Sequence, residues 1–249
     1  MPAFHGRYNL SLTFGPDRIR WSTMDAKTKG RWDTVLTVVL VGCALLTTGL
    51  VLRRELFSPT AAPGIPQKPV FVVDWTAHLE KGVRIGSAEA PVQLMEFADF
   101  ECPFCASFHK TLESVRQKYP TQIALTFVHY PIQGHRFAEP AARVAECARE
   151  QGRFEAMHAR LFEWQNQLGL KPWSEFATAA GVSDLATFES CVKGTEPLER
   201  VVAGRKLADE LGVKGTPTLI INGWQLHRPP DAAELEAMVQ AILAGKNPV

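Results

Sequence analysis

Two cysteines stand three positions apart in "EFADFECPFC", Glu96 to Cys105. Thiols at that spacing can exchange with a disulfide, form half of a metal site, or lie buried as small inert hydrophobes. Ala106 follows Cys105 where c-type haem attachment requires histidine, so that chemistry is excluded. A zinc site normally needs a second ligand pair at comparable spacing. Cys147 and Cys191 are far apart and each is alone, so no metal is expected. Inert burial is disfavoured, because chance seldom places Cys-x-x-Cys between a strand and a helix. Redox exchange has a physical cause. At a helix N-terminus a thiol faces unpaired N–H groups and the positive end of the helix dipole. Both favour thiolate, the nucleophile of exchange. Cys102 is therefore expected to be the exposed attacking sulfur, and Cys105, one turn inside, the resolving one. Pro103 has no N–H to leave unsatisfied and presets φ for the first turn.

The flanking segments supply the elements that must hold this pair. "PVQLMEF", Pro91 to Phe97, reads as a buried strand. Phe104, Phe108, Leu112 and Val115 then recur at helical spacing until Pro120 ends the pattern. "QIALTFVHY" is a second strand, apolar on both faces and so central in a sheet. Strand, helix, strand predicts an α/β fold. A long helical region follows, from about 138 to 211. In "TPTLIINGWQLHR", Asn222-Gly223 signals a tight hairpin. The last helix is predicted to open with Asp231 and Glu234 as a capping pair and to bury Leu235, Met238, Val239, Ile242 and Leu243.

Upstream lies an uncharged run, Thr34 to Leu52, about 28 Å long as a helix and close to the thickness of a bilayer core. A cleaved signal would be shorter and end in a small-residue site. Here Arg53-Arg54-Glu55 follows, so an uncleaved anchor is expected over 34–52. Residues 1–33 would form a cytoplasmic segment, 53–69 a linker and 70–249 one domain. More basic residues precede the span than follow it, which predicts a single-pass protein of the inner (cell) membrane with its N-terminus inside. The domain would then be periplasmic or otherwise extracytoplasmic, where disulfides persist. Met24 begins a typical basic flank and is an alternative start. Cys43 reads as a membrane-buried small residue.

A formal net charge of +1 gives no electrostatic reason to expect nucleic acid. The chain has no phosphate loop, HExxH or GxSxG pattern and no internal repeat, and no cofactor is expected.

"EFADFECPFC" together with the distant "VKGTPTLIING" resembles the thioredoxin superfamily, specifically its DsbA-like members. The resemblance covers Trp75 to Gly245. It implies a thioredoxin fold with a helical insertion and thiol–disulfide exchange on reduced or misoxidised exported polypeptides. Cys102 matches the family's nucleophile and Cys105 its partner. Thr216-Pro217 matches the loop whose proline is cis and whose backbone pairs with substrate; a trans proline entering a strand is the bland alternative. Glu96 matches the acidic residue beneath the pair, where desolvation would raise its pKa; a strand-end carboxylate reaching solvent is the other possibility. Asp99 and Glu101 are expected to be solvated. His135 and His158 have no identifiable partner and read as surface or satisfied core.

One departure stands out. Strongly oxidising relatives carry Pro-His between the cysteines, and Phe104 offers neither charge nor hydrogen bond. Disulfide donation to exported proteins is the leading expectation, with reductase or isomerase as the reverse alternatives and a tethered chaperone as the rival of another class. Donation implies a quinone-linked membrane partner for reoxidation. Cys147 and Cys191 would be the second disulfide seen in some relatives, or two free buried thiols.

Overall fold

In the computed structural model the described residues are 26–57 and 68–249, the side chains of 26–33 and 51–57 excepted. Met24 and most of the 53–69 linker lie outside them. Two compact units divide at residue 65.

In the first unit, residues 34–52 fall within one helix, α1 (Ala26–Phe57). Val35, Leu36, Val38, Leu45 and Leu46 stand exposed along it, each more than half accessible. Among the described residues no helix is long and apolar enough to cross a membrane.

The second unit is built on a six-stranded sheet. Its strands are β1 (Val70–Phe71), β2 (Val83–Ile85), β3 (Val92–Ala98), β4 (Ile123–His129), β5 (Thr218–Ile221) and β6 (Trp224–Gln225), in spatial order β1-β6-β5-β3-β4-β2. Only β3 and β4 run parallel; every other pairing is antiparallel. The short helix α2 (Trp75–His78) follows β1, and α3 (Pro103–Arg116) connects β3 to β4. Then come α4 (Ala138–Arg149), α5 (Phe154–Glu163), α6 (Trp173–Ala179), α7 (Leu185–Val192) and α8 (Glu199–Glu210), and α9 (Ala232–Leu243) ends the fold.

Both faces of the sheet are covered, so β3 and β4 are buried along their whole length. Side chains alternate along a strand, and β3 divides accordingly. Val92, Leu94 and Ala98 join Phe108, Leu112 and Val115 of α3 and Leu235 and Val239 of α9 in the larger core. Met95 and Phe97 face Leu207 and Ala208 of α8 in the smaller one. Gly204 permits that second packing: a β-carbon there would come within 2.3 Å of the His129 carbonyl oxygen.

β1 and β2 precede the strand–helix–strand unit and add two strands to those expected. With two and three residues they are too short for any periodicity to show. Asn222 and Gly223 do form the β5–β6 turn, both at positive φ (43° and 88°), as a two-residue hairpin requires. Asp231 and Glu234 cap α9 reciprocally. Leu243 departs from the expected stripe: as the last residue of α9 it is 40% exposed.

The helical region packs on the sheet through an aromatic cluster. Phe100, Phe127, Phe154 and Phe162 surround the rings of His129 and His158. His158 is thus in the core, yet its Nε2 has no hydrogen-bond partner, so it is not the satisfied core histidine expected. Burial pushes its pKa well down, which keeps the ring neutral. Cys147 of α4 and Cys191 of α7 are joined as a disulfide, Cα to Cα 5.8 Å.

Candidate active site

Cys102 is the N-cap of α3 and Pro103 occupies its first turn. The strand β3 ends four residues earlier, so the sulfur sits where the chain turns from sheet edge into helix. Across from it the chain returns through the loop before β5, where the Thr216–Pro217 peptide bond is cis. The Cys102 thiol donates to the Thr216 carbonyl oxygen at 3.5 Å. Cys105, one turn on, is fully buried, and both cysteines are free thiols.

The expected exposure of Cys102 is corrected. The residue is 3% accessible, and Phe104 beside it is 70% accessible. The helix N-terminus does lie at the surface, but the Thr216–Pro217 loop covers the sulfur from one side and leaves Phe104 as the outward residue.

The two thiols are driven apart in protonation. Cys102 is lowered to about 5. A hydrogen bond from the Cys105 thiol contributes most, opposed by burial and helped by the Thr216 side chain and the N–H groups of Cys105 and Phe104. As a thiol Cys102 makes no cap hydrogen bond, and the Thr216 hydroxyl is without a partner. Both sets of donors are therefore available to the thiolate. Cys105 is pushed up, first by burial, then by donating its S–H hydrogen bond to the Cys102 sulfur and by the nearby Glu96 charge.

Strand alternation places Glu96 on the same face as Leu94 and Ala98, which is the face α3 covers. Its carboxyl is buried beneath the pair at 1% accessibility, and Oε1 has no hydrogen-bond partner. Burial, with the Cys102 charge second, raises it to about 8. The solvent-reaching alternative for Glu96 does not occur.

Asp99 is not solvated as expected, and Glu101 is half-buried. Asp99 is 2% accessible because three donors satisfy its carboxylate: Glu101 N at 2.7 Å, Ile132 N at 2.8 Å and His135 Nδ1 at 2.7 Å. Its own carbonyl accepts Cys102 N at 3.1 Å, so one residue fixes the approach to the thiol. Glu101 accepts from Phe137 N. His135 therefore has a partner that sequence reasoning missed. The Glu101 bond to Asp99 is an Asx turn, a local pattern that was legible in "ADFEC"; the bonds to 132 and 135 left no such signal.

Gln165 is the other missed residue. Its Nε2 donates to the carbonyls of Phe100 and Cys102, at 2.8 and 2.9 Å, and so ties the helical region to the active-site turn. A cleft of about 580 Å³ opens between Tyr130–His135 on one side and Lys214–Gly215, the residues just before the Thr216–Pro217 loop, on the other. Among the described residues no three ligating side chains converge as a metal site.

Residues 78–241 match the family model described as thioredoxin, which is well over half of the chain. The chain belongs to the thioredoxin family. Similar solved structures include oxidised BdbD from Bacillus subtilis, 21% identical with a TM-score of 0.59 over 67% of this chain and 95% of that one. The catalytic domain of Proteus mirabilis ScsC is 27% identical, with a TM-score of 0.53 over 66% and 90%. Among curated proteins, a Na(+)/H(+) antiporter NhaA 1 of Mycolicibacterium gilvum is 35% identical over 164 residues, 65% of this chain. The match spans only about a quarter of that antiporter's length, 26%.

Proposed function

We propose that this thioredoxin-family chain is a thiol–disulfide oxidoreductase working outside the cytoplasm, anchored in the cell membrane by residues 34–52, that donates its Cys102–Cys105 disulfide to exported polypeptides. The observation that carries the reading is the opposed protonation of the two thiols over one buried carboxyl. A sulfur lowered to about 5 is a good nucleophile and leaving group; one pushed up and buried is a poor competitor for the same reaction.

In the donating direction a substrate thiolate attacks Cys102 Sγ, the Cys102–Cys105 bond breaks, and Cys105 leaves with the electron pair. Glu96, near neutrality in its titration, is placed to give Cys105 its proton. A second substrate thiolate then attacks the substrate sulfur of the mixed disulfide. Cys102 leaves as thiolate, the substrate has lost two electrons, and the chain holds two reduced cysteines. The Thr216–Pro217 loop would hold the substrate backbone, as an added strand would be held. The Cys147–Cys191 bridge fits an oxidising compartment. The uncharged stretch and the exposed apolar side chains of α1 fit an anchor. Reoxidation would fall to a quinone-linked membrane protein.

Replacing Cys105 with Ser tests the exchange chemistry: the Cys102 thiolate should attack disulfides of exported proteins, releasing one substrate thiolate, and with no resolving thiol it should stay trapped in mixed disulfides. Disulfide formation in exported proteins that is unchanged by Cys102→Ser would sink it and favour a tethered chaperone. Equilibration with glutathione buffers decides between donor and reductase.

A further inference from the structure

Within that exchange reading, the turn between the cysteines lacks a cation, since Phe104 has no charge and points to solvent. A different part of the chain supplies an imidazole that can carry one, tied to the residue that also holds the Cys102 N–H. His135 hangs by Nδ1 from Asp99, whose side chain is wholly buried, while the imidazole itself is 30% exposed. That leaves Nε2 turned away from the carboxylate. His135 lines the same cleft as Gly215, the neighbour of the Thr216 carbonyl that meets Cys102 Sγ. Asp99 also binds Cys102 N through its carbonyl, so histidine and sulfur are positioned from one residue.

We propose that His135, pinned by Asp99 in the wall of this cleft, carries the positive charge that steadies Cys102 as a leaving thiolate. It acts when the mixed disulfide resolves: the second substrate sulfur bonds to the first, the bond to Cys102 Sγ breaks, and the electron pair departs on that sulfur. No proton moves to or from His135 in this step. Burial works against charge on the ring, but the Asp99 hydrogen bond and the charges of Asp99, Glu101 and Cys102 outweigh it and raise its pKa. The other charged groups lining the cleft are Glu139, Arg205, Asp209 and Lys214. Arg205 is paired with Glu139, so these add little net field at the ring.

The test is the pH dependence of Cys102 alkylation in the full-length protein, read by peptide mass. His135→Gln keeps a donor for Asp99 and removes the charge. It should shift the midpoint upward by roughly half a unit, which lowers the thiolate fraction below the midpoint about threefold. His135→Lys should restore it. A His135→Gln midpoint equal to that of the unaltered protein, or a His135→Lys midpoint equal to that of His135→Gln, overturns the inference. In either case a low Cys102 midpoint in the unaltered protein leaves the exchange reading standing, whereas an ordinary thiol value there removes both. The unaltered protein gives an independent check by nuclear magnetic resonance. The His135 ring should titrate at higher pH in the dithiol form than in the disulfide form, and equal midpoints reject the proposal.

Discussion

Cys102 Sγ and the Thr216 carbonyl oxygen meet at 3.5 Å although 114 positions separate them in the chain. The contact closes the loop around a cis proline over the start of α3 and confines the sulfur between a backbone acceptor and a helix N-terminus. The first prediction follows from that confinement. In the dithiol form Cys102 should alkylate with a midpoint near pH 5, and Cys105 should resist alkylation through pH 9. Peptide mass analysis after timed iodoacetamide exposure reads both. Equal reactivity of the two thiols at pH 7 would contradict it.

Glu96 makes a prediction about stability. The folded carboxyl keeps its proton to about pH 8, while the unfolded chain gives it up near 4.5. The folded state thus binds more protons between those values, and stability falls as pH rises through the window, by at most about 4–5 kcal/mol. Cys102 in the dithiol form has the opposite sign: folded thiolate against unfolded thiol makes stability rise from about pH 5 to 9. The two slopes largely cancel in the unaltered protein. Glu96→Gln removes one of them. Urea unfolding should show the variant more stable at pH 7.5, by up to about 4 kcal/mol, with the gap closing toward pH 4. Parallel pH profiles would show that Glu96 is not held protonated.

The disulfide between Cys147 and Cys191, 44 positions apart, ties α4 to α7. Loop-closure entropy assigns it about 4 kcal/mol as an upper figure. Replacing both cysteines with Ala should lower the urea midpoint and leave the Cys102 alkylation midpoint unchanged, because the bridge joins α4 to α7 and not α3 to the Thr216–Pro217 loop. A shifted Cys102 midpoint would mean that the bridge sets the site as well as the scaffold.

Gln165→Ala removes two hydrogen bonds to the carbonyls of Phe100 and Cys102. At roughly 1 kcal/mol each, stability should fall by about 2 kcal/mol. Exchange with a small disulfide should slow as well, since the turn holding the thiol loosens. A rate equal to that of the unaltered protein would confine Gln165 to the scaffold.

The parts legible in the sequence are those with a local signal. β3, β4 and α3 announce themselves by apolar runs and helical spacing, the hairpin by Asn222-Gly223, and α9 by its capping pair. The cysteine pair stands out because its spacing is itself the motif. Asp99 and His135 do not, because what makes each matter is the other, 36 positions away. Gln165 is invisible for the same reason: a glutamine after a helix says nothing until the carbonyls of Phe100 and Cys102 arrive beside it. β1 and β2 escape notice because two or three residues cannot display a period. The exposure of Cys102 was misjudged because a helix N-terminus read alone does not include the loop that folds over it.

That cover has a bearing on timing. A cysteine residue only 3% accessible, beside an outward phenylalanine, is hard to reach for a thiol fixed on a rigid globule. Under the exchange reading it can be met only by slack chain able to lie along Thr216 and bend inward. On that reading, polypeptides would be taken while still unfolded and passed over once they had folded, with no separate device to tell the two apart.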